Sequence, residues 1–199
     1  LQQAVNVDGT INILRAARKA GIARSLFVSS VVAVGHAGPG QSVTEETDWN
    51  AGGLAVEYVQ TKRQAEELAL ASCSDLDVRV VNPGAIFGPG GEQGNTSKLL
   101  IALAQGKLGP LVPPGGMSVV GVGDTARGVR LALERGRRGA RYLLTDEFLC
   151  TRDLCERAVA RMRSRGIPAR SPRFSVPRFM WPVAVAAVRA LECFHEPRL

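Results

Sequence analysis

Apolar residues along the first 90 positions recur with helical and strand-like spacing in turn. From 6 to 20 they recur at every third or fourth position, which predicts an amphipathic helix that Gly21 ends. The nearly continuous apolar run from 25 to 34 predicts a strand that is buried on both faces. A second helix is predicted from about 56 to 72, and a second buried strand follows from 77 to 82.

This order of elements predicts the fold class. Helix, strand, helix and strand in succession are typical of a layered α/β domain with parallel strands and right-handed crossovers. In such sheets, ligands bind at the carboxyl ends of the strands. One predicted strand carries Ser29 and Ser30 near its end, and the other ends at Asn82, followed by Pro83 and Gly84. We therefore expect these residues to lie near a ligand site.

Tyr58 and Lys62 are four residues apart on the second predicted helix, so their side chains share one face. A phenol with an ordinary pKa of about 10 is a poor proton donor or acceptor at neutral pH. A nearby cation lowers that pKa toward the useful range. With the Ser30 hydroxyl to hold a substrate oxygen, the three residues suit interconversion of an alcohol and a carbonyl. A Tyr-x-x-x-Lys pair by itself also occurs on many helices that have no catalytic role.

Five segments occur in an order that is typical of one superfamily: 6–10, 27–30, 58–62, 79–90 and 122–126. Together they resemble the extended short-chain dehydrogenase/reductase superfamily, also called NAD-dependent epimerase/dehydratases. Further segments at 131–136, 140–144 and 196–199 look most like dihydroflavonol-reductase-like proteins, and hopanoid-associated sugar epimerases share that likeness. The resemblance covers nearly the whole chain.

The resemblance implies a role for each candidate residue. Ser30 would orient the substrate, Tyr58 would be the catalytic acid and base, and Lys62 would bind the nicotinamide ribose and tune the tyrosine. Asn6 matches an asparagine that is thought to help hold the active-site helix or a water. A helix N-cap is an equally good explanation for Asn6, and a buried, satisfied hydroxyl is a simpler one for Ser29.

The implied cofactor is NADP or NAD, and no metal is expected. The residues expected to contact the cofactor are Ser29, Tyr58, Lys62, Pro83, Gly84 and Ile86. The choice between NAD and NADP stays open, because the residue that decides it follows an earlier strand than any in this sequence.

The implied function is that of an NAD(P)-dependent oxidoreductase that interconverts a carbonyl and an alcohol on a small-molecule or sugar-type substrate. A nucleotide-sugar epimerase is the alternative enzyme. Dehydratases of this group usually place an acidic pair beside the serine, so Val31 and Val32 disfavour dehydration. A non-catalytic fragment or binding domain is the alternative of another class.

The sequence departs from the superfamily in one large respect. A complete member opens with a strand and a Gly-x-x-Gly-x-x-Gly turn that binds the pyrophosphate. The glycines at 88–91 and 121–123 match that turn only weakly. We expect that about 60–80 residues with the first three strands of the sheet are missing here, so that this chain alone is inactive. Residues 27, 28, 80 and 81 would then lie near an exposed sheet edge.

The domain organisation follows from the resemblance. Residues 1–90 would form the C-terminal part of a Rossmann-like cofactor domain, and 91–117 would cover the substrate. Residues 118–145 would return to the parallel sheet, and 146–199 would form a small, mostly helical cap. Pairing of two copies through helices, one of them bearing Tyr58, is a further expectation.

Charge and cysteines narrow the set of partners. Residues 121–199 carry 16 basic and 8 acidic side chains, but the arginines are dispersed with few aromatics between them, which disfavours nucleic-acid binding. The four cysteines lack metal-binding spacing and suit a cytoplasmic protein.

The apolar run 179–188 is too short to cross a bilayer. The resemblance implies a helix here that packs over the substrate cleft, with peripheral membrane contact as the alternative.

The missing glycine turn leads to a testable prediction. The isolated 199-residue chain should bind NAD or NADP weakly or not at all, because no glycine turn is present to hold the pyrophosphate. Calorimetric titration of the chain with each cofactor measures this, and micromolar affinity would contradict it.

Overall fold

The computed structural model of the chain describes residues 1–38, 40–91, 94–177 and 180. These residues form two compact units. The first unit comprises residues 1–88 and 119–146. The second comprises the described residues of 89–118 and those from 147 onward.

Five α-helices are present in the described part of the chain. They are α1 (Gly9–Lys19), α2 (Glu57–Ala71), α3 (Asn95–Ala104), α4 (Val122–Arg135) and α5 (Thr151–Arg163). A π-helical turn, Gln3–Asp8, leads directly into α1. The first two predicted helices are thus confirmed, with boundaries that differ by a few residues.

Gly21 ends α1, as the sequence predicts. Its φ is +65°, a left-handed conformation that glycine adopts without steric cost. Its N–H donates to the carbonyl oxygen of Arg18, and the N–H of Ile22 donates to that of Ala17, each at 3.1 Å. These two bonds satisfy carbonyl groups that would otherwise have no partner at the end of the helix.

Eight strands occur among the described residues. They are β1 (Ser25–Val28), β2 (Val78–Pro83), β3 (Ala85–Phe87), β4 (Leu111–Val112), β5 (Gly116–Gly121), β6 (Arg141–Leu144), β7 (Glu147–Cys150) and β8 (Phe174–Ser175). In the first unit, β1, β2 and β6 form a parallel sheet in that order. The predicted α/β fold with parallel strands is therefore confirmed.

Strand β2 lies in the middle of this sheet, and all six of its residues are buried. Phe27 of β1 pairs with Val80, and Val81 pairs with Tyr142 of β6. A core of Ala69, Leu76 and Val78 joins α2 to β2, with residues of α1 and β1 packed against it. Apolar burial of this kind is the main source of stability for such a layer. Helix α4 also packs against the three strands.

Two predictions about β1 are wrong. The run from 25 to 34 is not one strand, because β1 ends at Val28 and a 3₁₀ turn occupies Val31–Ala33. The turn buries Ala33 and Val34 completely, so these apolar residues enter the core without extending the strand. Nor is the run buried on both faces, because Ser25, Leu26 and Phe27 are only half-buried and Val28 is 49% exposed.

The predicted exposed edge is only partly correct. Among the described residues β1 lies at one edge of its sheet, where Val28 is exposed and Phe27 is half-buried. Val80 and Val81 are completely buried, because they belong to the central strand and have neighbours on both sides.

The second unit has its own core between α3 and α5. Its buried members are Leu103, Val112, Cys155, Val159 and Ala169. Strands β4 and β8 pair in parallel beside it. The predicted apolar segment 179–188 lies outside the described residues except for Met180, so the cleft and membrane predictions for it stay predictions. No helix in the described ranges has the length and apolar character needed to cross a membrane.

An ion pair stabilises the amino end of β2. The Arg79 side chain is 5% exposed, its Nε donates to the carbonyl oxygen of Gly136 at 2.7 Å, and its Nη1 lies 2.6 Å from Oδ1 of Asp77. The close contact with Arg79 and its charge lower the pKa of Asp77, desolvation acts against that shift, and the charges of Arg24 and Arg138 lower the pKa further. The arrangement therefore favours the ionised carboxylate in the folded chain.

This pKa shift predicts how stability depends on pH. Because the pKa of Asp77 is lower in the folded chain than in the unfolded chain, the ionised carboxylate stabilises the fold above about pH 4. That stabilisation is lost as the pH falls through the folded pKa. Asp77→Asn should therefore lower the free energy of unfolding at pH 7, and the difference from wild type should shrink toward pH 3.

Urea unfolding of both proteins from pH 3 to pH 7 measures this. Asp75→Asn is the matched control, because Asp75 pairs with Arg18 between two half-exposed side chains and such pairs contribute little. Equal and pH-independent effects of the two substitutions would contradict the prediction.

Candidate active site

The candidate residues lie in the first unit, most of them at the carboxyl ends of β1 and β2 and on the first turns of α2. Helix α2 begins after Val56, whose backbone is extended. The Gln60 side chain holds the preceding loop, since its Nε2 donates to the carbonyl oxygens of Ala51 and Leu54, each at 2.9 Å. The buried face of α2 consists of Thr61, Ala65, Glu66 and Ala69.

Lys62 reaches the end of β1. Its Nζ donates to the carbonyl oxygen of Val28 at 3.3 Å and lies 5.6 Å from the centre of the Phe27 ring. Burial lowers the pKa of Lys62, and the negative charge of Glu66 acts against that shift. The ammonium thus lies beside Val28, which is two residues before Ser30 in the sequence. Two of its three hydrogens have no acceptor among the described residues.

Ser30 begins the turn that follows β1. Its Oγ accepts a long hydrogen bond of 3.5 Å from the N–H of Val32, so its own hydrogen stays available to an outside acceptor. The carbonyl oxygen of Ser30 accepts hydrogen bonds from the N–H of Ala33 and from Nδ2 of Asn82, both at 3.0 Å. The backbone of Ser30 is therefore held from two sides.

Ser29 is buried beside it. Its N–H donates to the carbonyl oxygen of Val81 at 2.8 Å, so that N–H continues the pairing of β1 with β2. The Oγ of Ser29 is buried, and no hydrogen-bond partner for it is present among the described residues. The structure therefore shows no group among the described residues that would satisfy the Ser29 hydroxyl.

Tyr58 lies in the first turn of α2, one turn before Lys62, and is 43% exposed. Within the described residues its hydroxyl forms no hydrogen bond with Ser30, Lys62 or any other group. The structure thus brings Lys62 and Ser30 to the end of β1, and the Tyr58 side chain is partly exposed one turn earlier on α2. Catalytic hydrogen bonds are often loose before substrate binds.

Asn6 contacts α2 from the N-terminal π-helical turn. It lies inside that turn, so it is not a helix N-cap. Its Nδ2 donates to Oγ1 of Thr61 at 3.0 Å, and Oγ1 of Thr61 donates to the carbonyl oxygen of Glu57 at 2.8 Å. Asn6 therefore anchors the first turn of α2, the turn that carries Tyr58.

The remaining candidates follow β2. Pro83 is the last residue of the strand and is buried, and the N–H of Gly84 donates to the carbonyl oxygen of Leu144 at 3.1 Å. Ile86 is half-buried in β3, where it pairs with Val120 of β5. All three therefore lie at or just after the carboxyl end of β2, the strand that carries Asn82.

Glu66 and Arg141 were not predicted from the sequence. Glu66 is completely buried on α2, with its Oε2 at 2.6 Å from Nδ2 of Asn82. Its Oε1 lies 3.1 Å from Nη2 of Arg141, an ion-pair contact without the alignment of a hydrogen bond. The signal was a glutamate four residues after Lys62, between alanines of the inward face.

The donor set fits the nicotinamide-ribose end of a dinucleotide. Ribose presents a pair of hydroxyls, and the free hydrogens of Lys62 and the Tyr58 hydroxyl are suitable partners. The sequence offers no matching site for the pyrophosphate, because it contains no glycine-rich turn of the required spacing. In the described ranges, no group of three or more histidine, cysteine or acidic residues is placed to hold a metal ion.

Comparison with known proteins gives consistent matches. A Synechocystis sp. protein, provisionally named a dihydroflavonol 4-reductase, is 33% identical over 182 residues, which are 88% of this chain and 51% of that protein. Sterol demethylase protein B of Methylococcus capsulatus is 34% identical over 151 residues, which are 74% of this chain and 44% of that protein. The chain thus spans about half the length of these curated relatives.

One solved structure of a similar protein matches nearly the whole chain. The crystal structure of a nucleoside-diphosphate-sugar epimerase from Pseudomonas aeruginosa superposes with a TM-score of 0.81 at 27% identity, over 96% of this chain and 61% of that one. Residues 2–144 match the family described as the NAD dependent epimerase/dehydratase family. That match covers most of the chain and the whole candidate site, so the chain belongs to the NAD-dependent epimerase/dehydratase family.

Proposed function

We propose that the protein to which this chain belongs is an NAD(P)-dependent oxidoreductase that interconverts a carbonyl and an alcohol. The observation that carries the proposal is the contact of Lys62 with the carbonyl oxygen of Val28, which brings the ammonium to the strand end where Ser30 begins its turn. Tyr58 lies one helical turn away on the same helix. Membership of an NAD-dependent family supports the proposal.

Each of the three residues has a separate role. Ser30 donates a hydrogen bond to the substrate oxygen and fixes its position. Tyr58 gives its proton to that oxygen as the carbonyl becomes an alcohol, or accepts it in the reverse direction. Lys62 stabilises the phenolate that remains, because its positive charge favours the ionised phenol.

The cofactor is NADP or NAD, and its nicotinamide supplies or accepts the hydride when it is bound. Lys62 and Tyr58 would hold the ribose hydroxyls. Pro83, Gly84 and Ile86 would line the nicotinamide side of the site, and Ser29 would contact it from the end of β1. The burial of Pro83 and the half-burial of Ile86 are consistent with an apolar wall that excludes water there.

A nucleotide-sugar epimerase is the second candidate. The Pseudomonas aeruginosa structure, which bears that name, supports it. The name of the Synechocystis relative, a dihydroflavonol 4-reductase, instead supports the reduction of a small organic molecule. Dehydration is disfavoured, because Val31 and Val32 follow Ser30 where an acidic pair would be needed. A non-catalytic binding role is a third alternative, which turnover of a carbonyl or alcohol substrate by the wild-type protein would exclude.

The catalytic role of Tyr58 can be tested in the complete protein with its substrate. Tyr58→Phe should lower kcat by about a hundredfold or more, because it removes the proton donor and keeps the ring. Steady-state kinetics and thermal unfolding should show this loss without a loss of folding.

Tyr142→Phe is the matched control, since the chain has two tyrosines. The Tyr142 hydroxyl accepts a hydrogen bond from the N–H of Arg137 at 2.7 Å, which is a structural contact. The control should keep its kcat within about twofold of wild type, since the change is remote from proton transfer. A Tyr58→Phe protein that turns over as fast as this control would end the assignment.

The release of reduced cofactor separates the two enzyme candidates. A reductase running in the alcohol-oxidising direction should accumulate NADH or NADPH in proportion to product, because the hydride leaves with the cofactor. An epimerase returns the hydride within one turnover, so no net reduction should appear. Absorbance at the nicotinamide band, followed alongside product formation, measures this. Product without reduced cofactor would favour the epimerase.

A further inference from the structure

Glu66 lies on α2 one turn after Lys62, and none of its surface is exposed. Its two carboxylate oxygens contact two different strands: Oε2 contacts Asn82 of β2 at 2.6 Å, and Oε1 contacts Arg141 of β6 at 3.1 Å. Burying a carboxylate without such partners would be strongly unfavourable. Glu66 is therefore a charged connection from α2 to strands β2 and β6.

Asn82 extends this connection to the serine. The residue is completely buried, and its Nδ2 donates one hydrogen to Glu66 and the other to the carbonyl oxygen of Ser30 at 3.0 Å. The same carbonyl oxygen accepts the hydrogen bond from the N–H of Ala33 that closes the turn. Glu66, Asn82 and Ser30 thus form one continuous hydrogen-bonded chain from the helix to the turn.

We propose that Glu66 is a positioning residue of this site: through Asn82 it fixes the Ser30 turn against the face of α2 that carries Tyr58 and Lys62. The inference rests on the proposed function for the roles of these three residues. It concerns how they are held together, which can be measured without substrate or cofactor.

The electrostatics give Glu66 a second effect on the same site. The ionisable groups nearest Lys62 along α2 are Tyr58, Arg63 and Glu66, and from β6 Arg141 approaches the carboxylate of Glu66. Burial lowers the pKa of Lys62, and the charge of Glu66 raises it. The carboxylate therefore helps Lys62 to stay protonated, as a residue that stabilises a phenolate must.

Two substitutions of Glu66 separate the effect of its contact with Asn82 from the effect of its negative charge. Glu66→Gln keeps an oxygen that can accept from Asn82 and removes the negative charge. Glu66→Asp keeps the charge and shortens the side chain by one methylene, so that it no longer reaches Asn82. Glu67→Gln is the matched control on the next residue of α2, because Glu67 is 55% exposed and pairs with Arg63 at the surface.

Two measurements on the 199-residue chain read these effects. Carbon-13 NMR of the lysine side chains gives the pKa of Lys62, whose signal is assigned by its loss in Lys62→Arg. Hydrogen exchange of the Ala33 amide reports whether the turn is held, and the Val80 amide, which donates to Ala140 at 2.9 Å in the sheet, corrects for global stability.

Glu66→Gln should lower the pKa of Lys62 and leave the exchange of Ala33 near the wild-type rate. Glu66→Asp should leave the pKa of Lys62 near its wild-type value and speed the exchange of Ala33 about tenfold relative to Val80, the effect expected for one lost buried hydrogen bond. Glu67→Gln should change neither. A residue with only a general structural role would not divide the two effects in this way.

The proposal is overturned if folded Glu66→Asp protein protects the Ala33 amide as well as wild type does, or if Glu66→Gln leaves the pKa of Lys62 unchanged. If neither variant folds, Asn82→Ser removes the bridge and keeps the Glu66 carboxylate with its Arg141 contact. Faster exchange of Ala33 in that protein then supports the proposal, and unchanged exchange overturns it. Failure of the proposed function would show differently, as wild-type turnover in Tyr58→Phe.

Discussion

The burial of one carboxylate governs the arrangement of the candidate site. Glu66 has no exposed surface, and a charge in that position is tolerable only where other groups compensate it. Asn82 and Arg141 do so from two adjacent strands. This requirement sets how α2 lies on the sheet, because a shift of the helix would separate the carboxylate from both partners. Tyr58 and Lys62 are carried on the same helix, so their positions depend on it.

The parallel sheet supplies the other half of the arrangement. β1 and β2 run in the same direction, so their carboxyl ends meet at one edge, and the central position of β2 buries Asn82 there. From this position one amide group can hold both Glu66 and the Ser30 carbonyl. A family whose members differ in substrate can keep such a framework, because the framework holds proton-transfer groups while other parts of the chain contact the substrate.

The sequence predicted the main helices and the direction of the strands because these depend on local patterns. Apolar spacing defined α1 and α2, Gly21 ended α1, and the alternation of helix and strand implied parallel pairing. The prediction failed at β1, where an apolar run from 25 to 34 was taken as one strand. Apolarity indicates burial but not backbone conformation, and the Ser30 turn buries Ala33 and Val34 without extending the strand.

The sequence by itself determined the family, the identity of Ser30, Tyr58 and Lys62 as candidates, and the expectation of a nicotinamide cofactor, since ordered motifs and helical spacing are visible along the chain. Only the tertiary structure decided that Lys62 reaches the Val28 carbonyl and that β1 ends at Val28 before a 3₁₀ turn. It also decided that Glu66 is buried against Asn82 and Arg141. The physical reason is that these contacts join residues 16 to 75 positions apart, and the pairing of distant buried polar groups leaves no periodic trace in a sequence.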